Sequence, residues 1–154
     1  MSTTPPQKLP GEEFRKHLFG QEAIARHVGG PSFRLAPELD AFFAKGLFDE
    51  VWQRPGLETR ERSLVTIVTL TVLRAEGELA AHIAAGRRMG LSREAIVEAI
   101  YHLAYYAGLV TTHAGLAVAD RVFAQEDADS ASAAICILQC QASSRQKHLR
   151  SRRR

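Results

Sequence analysis

In AEGELAAHIAAG, residues 75–86, Glu78 and His82 stand four residues apart in a run of small apolar side chains. On a helix that spacing puts both on one face. An imidazole exchanges a proton near neutrality, and a carboxylate one turn earlier would fix its tautomer and favour the imidazolium. Three readings are open: a half-exposed pair contributing about 0.3–0.5 kcal/mol, a metal site, or the acid–base half of an active site. Metal is the weaker of the last two. The spacing is E-x-x-x-H rather than H-E-x-x-H, and zinc usually takes three protein ligands. A third, from His102 or Glu50, would have to be recruited by folding.

The chain that must position these groups has 154 residues, enough for one domain with a buried core. No stretch has the apolar length needed to cross a bilayer, and MSTTPPQKLPGEEF has no apolar signal core, so neither a membrane nor export is expected. Cys136 and Cys140 both fall near the end and offer the main body no disulfide, which fits a reducing cytoplasm. The formal charge of +3 is misleading. Six of the 20 basic residues (Arg145, Lys147, Arg150, Arg152, Arg153 and Arg154) lie beyond Ser130, where none of the 17 acids lies; residues 1–129 keep 14 bases and carry −3. A basic tail on an acidic body argues against nucleic-acid binding by the body, leaving RNA or an acidic partner as an option for the tail alone.

Three regions are expected: a flexible Pro-rich arm at 1–11, a helical domain at 12–127 and a basic, disordered tail at 128–154. In the domain, a helix over Glu12–His27 ends at the Gly29-Gly30-Pro31 breaker. ELDAFFAKGLFDEVW places Leu39, Phe42, Phe43, Leu47, Val51 and Trp52 on one helical face, with an interruption near Gly46, and RPGL stops it. ETRERSLVTIVTLTVLRA reads as a largely buried helix from about Glu58 to Leu73, with a strand as the alternative. The Glu78/His82 helix closes at Gly90, in a glycine cap. Ser92 caps the next helix, striped by Ile96, Ile100, Leu103 and Ala107 and closed at Gly108. A last helix covers Thr112–Ala124. The fold class expected is all-α.

RPGLETRERSLVTIVTL, followed by EGELAAHIAAGRRMGLSREAIVEAIYHLAYYAG, resembles the carboxymuconolactone decarboxylase family of the alkylhydroperoxidase-D-like superfamily. The likeness runs from about Phe14 to Phe123 and is carried by the W-x-RPGL-x-x-R-x-RSL-x-T and EL-x-x-H blocks. It implies a helical bundle assembled into a ring-like homo-oligomer, often a hexamer built as a trimer of dimers. Peroxidase-type members carry C-x-x-C-x-x-x-H; here His82 takes the His position, but Ala75 and Glu78 stand where the thiols would be. Thiol-dependent peroxide reduction therefore has no nucleophile. A second departure follows Tyr106: Ala107-Gly108-Leu109-Val110-Thr111-Thr112-His113 replaces a Pro-Ala-Ala-type turn, so the substrate can differ from the usual lactone.

The activity implied is decarboxylation of a carboxymuconolactone to an enol-lactone of the β-ketoadipate pathway. Such a substrate contains its own electron sink, so no cofactor is expected. The resemblance makes His82 the acid or oxyanion donor, Glu78 its partner, and Glu50 an acidic group facing the pocket or a neighbouring subunit. Arg62 first, then Arg54 and Arg60, would hold a substrate carboxylate through the planar guanidinium fork. Trp52, His102, Tyr106 and His113 complete the candidate substrate contacts. The rivals are a relative acting on another lactone or enolisable carbonyl compound, and a non-catalytic binding or assembly protein that kept the fold.

Overall fold

Eight α-helices and one π-helix follow from the patterning in this computed structural model, which describes residues 8–28 and 30–151, without the side chains of 26–28, 138 and 140–151. Among the described residues there is no strand, and no helix is long and apolar enough to cross a membrane. The chain divides into two units, residues 1–119 and 120–154, with one long helix running through the division.

The expected Glu12–His27 helix is two helices, α1 (Gly11–Phe19) and α2 (Gln21–Val28). The break is Gly20, whose φ of 85° leaves the helical region. Gly29 and the side chain of His27 lie outside the described residues. Pro31 does more than break: it opens a short helix, α3 (Pro31–Leu35), because a missing N–H costs nothing in a first turn. α4 (Glu38–Phe42) then passes at Phe43 into the π-helix Phe43–Val51. The interruption expected near Gly46 is thus a widening of the helix that begins three residues earlier.

α5 (Thr59–Leu73) is a helix, which removes the strand alternative. Glu58 and Glu61 form a reciprocal capping box at its start, with the Glu58 N–H donating to the Glu61 carboxylate at 2.7 Å. It is not largely buried. Only Ser63, Ile67 and Thr71, one i,i+4 stripe, face inward, while Val65, Val72 and Leu73 are exposed.

α6 (Glu76–Arg88) ends in the glycine cap read from the sequence. Gly90 has φ 90°, its N–H donates to Arg87 C=O, and Leu91 N–H reaches back to Gly86 C=O at 2.9 Å, the two bonds of a Schellman motif. The Ser92 hydroxyl accepts from Ala95 N–H at the start of α7 (Arg93–His102). Hydrogen bonds from Glu94's own backbone N–H, then from the Ser92 hydroxyl, hold the Glu94 carboxyl below its ordinary pKa. α7 stops at His102, six residues before Gly108, because Leu103–Ala107 tighten into turns.

α8 (Leu109–Ser151) begins three residues before the expected Thr112 and continues past Ala124. No glycine or proline follows Gly115, so nothing local ends it. The segment expected as a disordered tail is helical to Ser151; the side chains of Cys140, Arg145, Lys147 and Arg150, and all of Arg152–Arg154, lie outside the described residues.

Two groups of contacts make the core of the first unit. Ile67, Leu79, Ile83, Leu91, Ile96, Ile100, Leu103 and Val118 are buried on or beside α5, α6, α7 and the start of α8, where α5 packs on α6 and α7 and Gly115 of α8 lies against Thr71 and Ile100. Phe14, Leu18, Phe48, Trp52 and Ala85, flanked by Phe19, Leu47 and Met89, bury the faces of α1, the π-helix and α6. His82 stands at the edge of this second group.

Candidate active site

α6 presents Leu79, Ile83, Ala85 and Gly86 to the core, which turns His82 toward the aromatic group, where it is half-buried. The imidazole lies against the Trp52 indole, centroids 5.9 Å apart and planes 23° from parallel. Phe19 meets it edge-on, at 4.9 Å and 82°. Trp52 itself is only 5 % exposed, tilted against Phe14 and Phe48, each 6.2 Å away. Three elements therefore fix the ring: α6 carries it, the last residue of α1 closes one side, and the residue capping the π-helix closes another. Apolar walls of this kind exclude water from the parts of the ring they cover.

Arg62 joins this region through the backbone. Its Nη2 donates to the carbonyl of Arg54 at 2.7 Å, two residues after Trp52. The adjacent Nε is buried and, among the described residues, has no hydrogen-bond partner. A buried guanidinium N–H without an acceptor is costly, and a carboxylate approaching the Nε–Nη2 edge would supply one. Arg54 and Arg60 are exposed, Arg60 at the rim of a hollow shared with Gly90, Leu91 and Ser92.

The other candidates are placed differently. Glu78, in the first turn of α6, and Glu50, in the π-helix, are exposed. His102 stacks on Tyr106, centroids 4.8 Å apart, beside a separate open hollow of about 620 Å³ lined by Glu98, Ala99, Tyr101, His102, Tyr105 and Tyr106. Neither His82 nor Trp52 borders it. His113 is exposed in the first turns of α8. Among the described residues, no three His, Cys, Asp or Glu side chains gather as a metal site would require. Within one chain, then, His82 and Trp52 come together, Arg62 is tied to the backbone two residues after Trp52, and His102 and Tyr106 form a second locus.

Sequence reasoning missed Phe19, Gln53 and Arg15. Phe19 lies far from the recognisable blocks, with no signal beyond its apolar type. Gln53 sits between Trp52 and Arg54 and ties the end of the π-helix to Leu9. Arg15, 4 % exposed, bonds Asp40 from the buried face of α1, and its charged side chain gives no local signal for burial.

Residues 37–121 match the carboxymuconolactone decarboxylase family. The chain is 34 % identical over 113 residues to the 4-carboxymuconolactone decarboxylase of Acinetobacter baylyi, covering 73 % of this chain and 84 % of that one. It is 35 % identical over 100 residues to the nitrosuccinic acid decarboxylase of Metarhizium robertsii, covering 64 % and 68 %. An uncharacterised 15.0 kDa protein of Paracoccus denitrificans is 29 % identical over 96 residues, covering 61 % and 72 %. The chain belongs to the carboxymuconolactone decarboxylase family.

Proposed function

We propose, from that membership and from the setting of His82, that this chain is a cofactor-independent carboxy-lyase that takes a carboxymuconolactone-type substrate to an enol-lactone and carbon dioxide. The observation that carries the reading is the half-buried imidazole held between Trp52 and Phe19 instead of standing free on the α6 surface. In such a lactone the departing carboxylate is vinylogous to the ring carbonyl. As the C–C bond breaks, its electron pair flows through the double bond onto the carbonyl oxygen, giving a dienolate and carbon dioxide. His82 then delivers one proton to carbon, and solvent restores it. Donors near the developing oxyanion lower the barrier because they meet charge that the ground state lacks.

A grip on the departing carboxylate would stabilise the ground state and oppose reaction. Arg62 is therefore assigned to the carboxylate that the product keeps, through its unpartnered Nε and the neighbouring Nη2. Glu78 and Glu50 are assigned supporting acid–base roles. Arg54, Arg60, His102, Tyr106 and His113, exposed in the single chain, are assigned to substrate or to subunit contacts completed by assembly.

The relative named for nitrosuccinic acid supports a second substrate class for the same machinery. Nitrosuccinate is also a dicarboxylate, and loss of the carboxylate beside its nitro group leaves a nitronate that accepts a proton at carbon. The property common to both substrates is a retained carboxylate plus an electron sink conjugated to the broken bond. A homo-oligomer, expected as a hexamer, is part of the proposal: Val65, Val72 and Leu73 on α5 and Tyr101, Tyr105, Leu109 and Val110 around α7–α8 are exposed, and subunit contacts would cover them.

The test is carbon dioxide release from 4-carboxymuconolactone and from nitrosuccinate, with proton–deuterium exchange on other candidate lactones. Turnover of the lactone carries the first reading, and turnover of nitrosuccinate alone transfers it to the nitro acid. Tight binding without exchange or turnover would replace both with a non-catalytic binding protein.

A further inference from the structure

Residues 9–11 cross the end of the π-helix, held there by groups that the chemistry above does not use. A π-helix pairs each N–H with the carbonyl five residues back, leaves a wider turn, and is rarely sustained without outside support. Here the support is visible. Gln53 accepts the Leu9 N–H on Oε1 at 2.7 Å, while its Nε2 donates to Leu9 C=O at 2.8 Å and to Phe48 C=O at 2.9 Å. One side-chain amide thus uses its oxygen and both N–H groups at once, joining a pre-helical segment to the last turn of the π-helix. Gly11 completes the contact. A Cβ at Gly11 would collide with Ala44 C=O and stand 2.9 Å from Asp49 N, the pair that five-residue bonding joins in this helix. Only a glycine lets α1 approach so closely.

Trp52 lies immediately before Gln53, and its own N–H closes the final π turn on Leu47 C=O at 2.9 Å. Its indole is the wall on which His82 rests. We propose that Gln53 is a positioning residue: by clamping residues 9–11 onto the π-helix it fixes the Trp52 ring against His82. The clamp acts on the histidine through the indole. Its effect on turnover rests on the reading of His82 as the proton donor, whereas its effect on Trp52 does not.

Trp52 is the chain's sole tryptophan, so its fluorescence reports this contact without ambiguity. Gln53→Met keeps length and apolar bulk but removes all three hydrogen bonds. In the full-length protein, acrylamide quenching of Trp52 should rise about twofold or more while far-UV circular dichroism stays unchanged. With whichever of the two substrates the wild type turns over, kcat should fall about tenfold with KM shifted less than about twofold, because orientation of the donor is lost and carboxylate binding is not. Wild-type quenching in Gln53→Met would overturn the proposal. A wild-type protein inactive on both substrates would sink the function reading and leave the quenching result to decide this one. Should Gln53→Met fail to fold, Leu9→Pro removes, of the three bonds, the one that Oε1 accepts; raised quenching there supports the clamp and unchanged quenching overturns it.

Discussion

The indole of Trp52 and the imidazole of His82 lie nearly parallel, 23° apart, joining the cap of the π-helix to the middle of α6. With Phe19 edge-on to the same ring, the histidine is held in one orientation by two rings that do no chemistry themselves.

If His82 supplies the proton, His82→Ala should lower kcat by about a hundredfold to ten-thousandfold, the usual span of general-acid catalysis. Circular dichroism should remain that of the wild type, since the ring is half-buried at the edge of the core. Near-normal turnover in a folded His82→Ala protein would remove the residue from the mechanism.

Arg62→Ala separates binding from chemistry. A residue holding the retained carboxylate should raise KM by about tenfold to a hundredfold and change kcat little, the loss of about 1.5–3 kcal/mol from a charge-assisted bond. Arg62→Lys should recover only part of that, because an ammonium cannot offer the Nε–Nη2 edge. A fall in kcat at constant KM would place Arg62 at the reacting carboxylate or the oxyanion instead.

Gly11→Ala tests the close approach of α1 to the π-helix. The added methyl meets backbone, which cannot rotate away, so unfolding in urea should show a loss of about 1–3 kcal/mol. Wild-type stability would mean that the two helices part at little cost.

Arg15 is buried on α1 with its Nη1 bonded to the Asp40 carboxylate, and among the described residues its Nε has no partner. Asp40→Ala should destabilise by about 2 kcal/mol, below the 3–5 kcal/mol of a fully buried pair because Asp40 is partly solvated. The double change Arg15→Met with Asp40→Ala should be more stable than Asp40→Ala alone, since no charge is then left stranded. Thermal or urea denaturation of the three variants decides it.

Much of the fold was legible because it is local. The Glu58 start of α5, the Ser92 cap of α7 and the Gly90 close of α6 each follow from a residue's own hydrogen bonds or φ. Errors came where local signals were weak or competing. Gly20 falls inside the expected Glu12–His27 helix and breaks it with a positive φ, and α8 has no terminator to mark where it stops. The π-helix was read as an interruption because α and π turns share the same apolar pattern over so short a span.

The amino-acid order alone settled the helical class, the principal caps and the family, since periodicity, cap chemistry and the arginine and E-x-x-x-H blocks are properties of neighbouring residues. Only the tertiary structure decided what surrounds His82. Trp52 and Phe19 reach it from other elements, and their approach depends on how α1, the π-helix and α6 pack. It also decided that Gln53 clamps Leu9 and that Val65, Val72 and Leu73 face outward. Side-chain contacts between distant segments are fixed by packing and close approach, which no local propensity encodes.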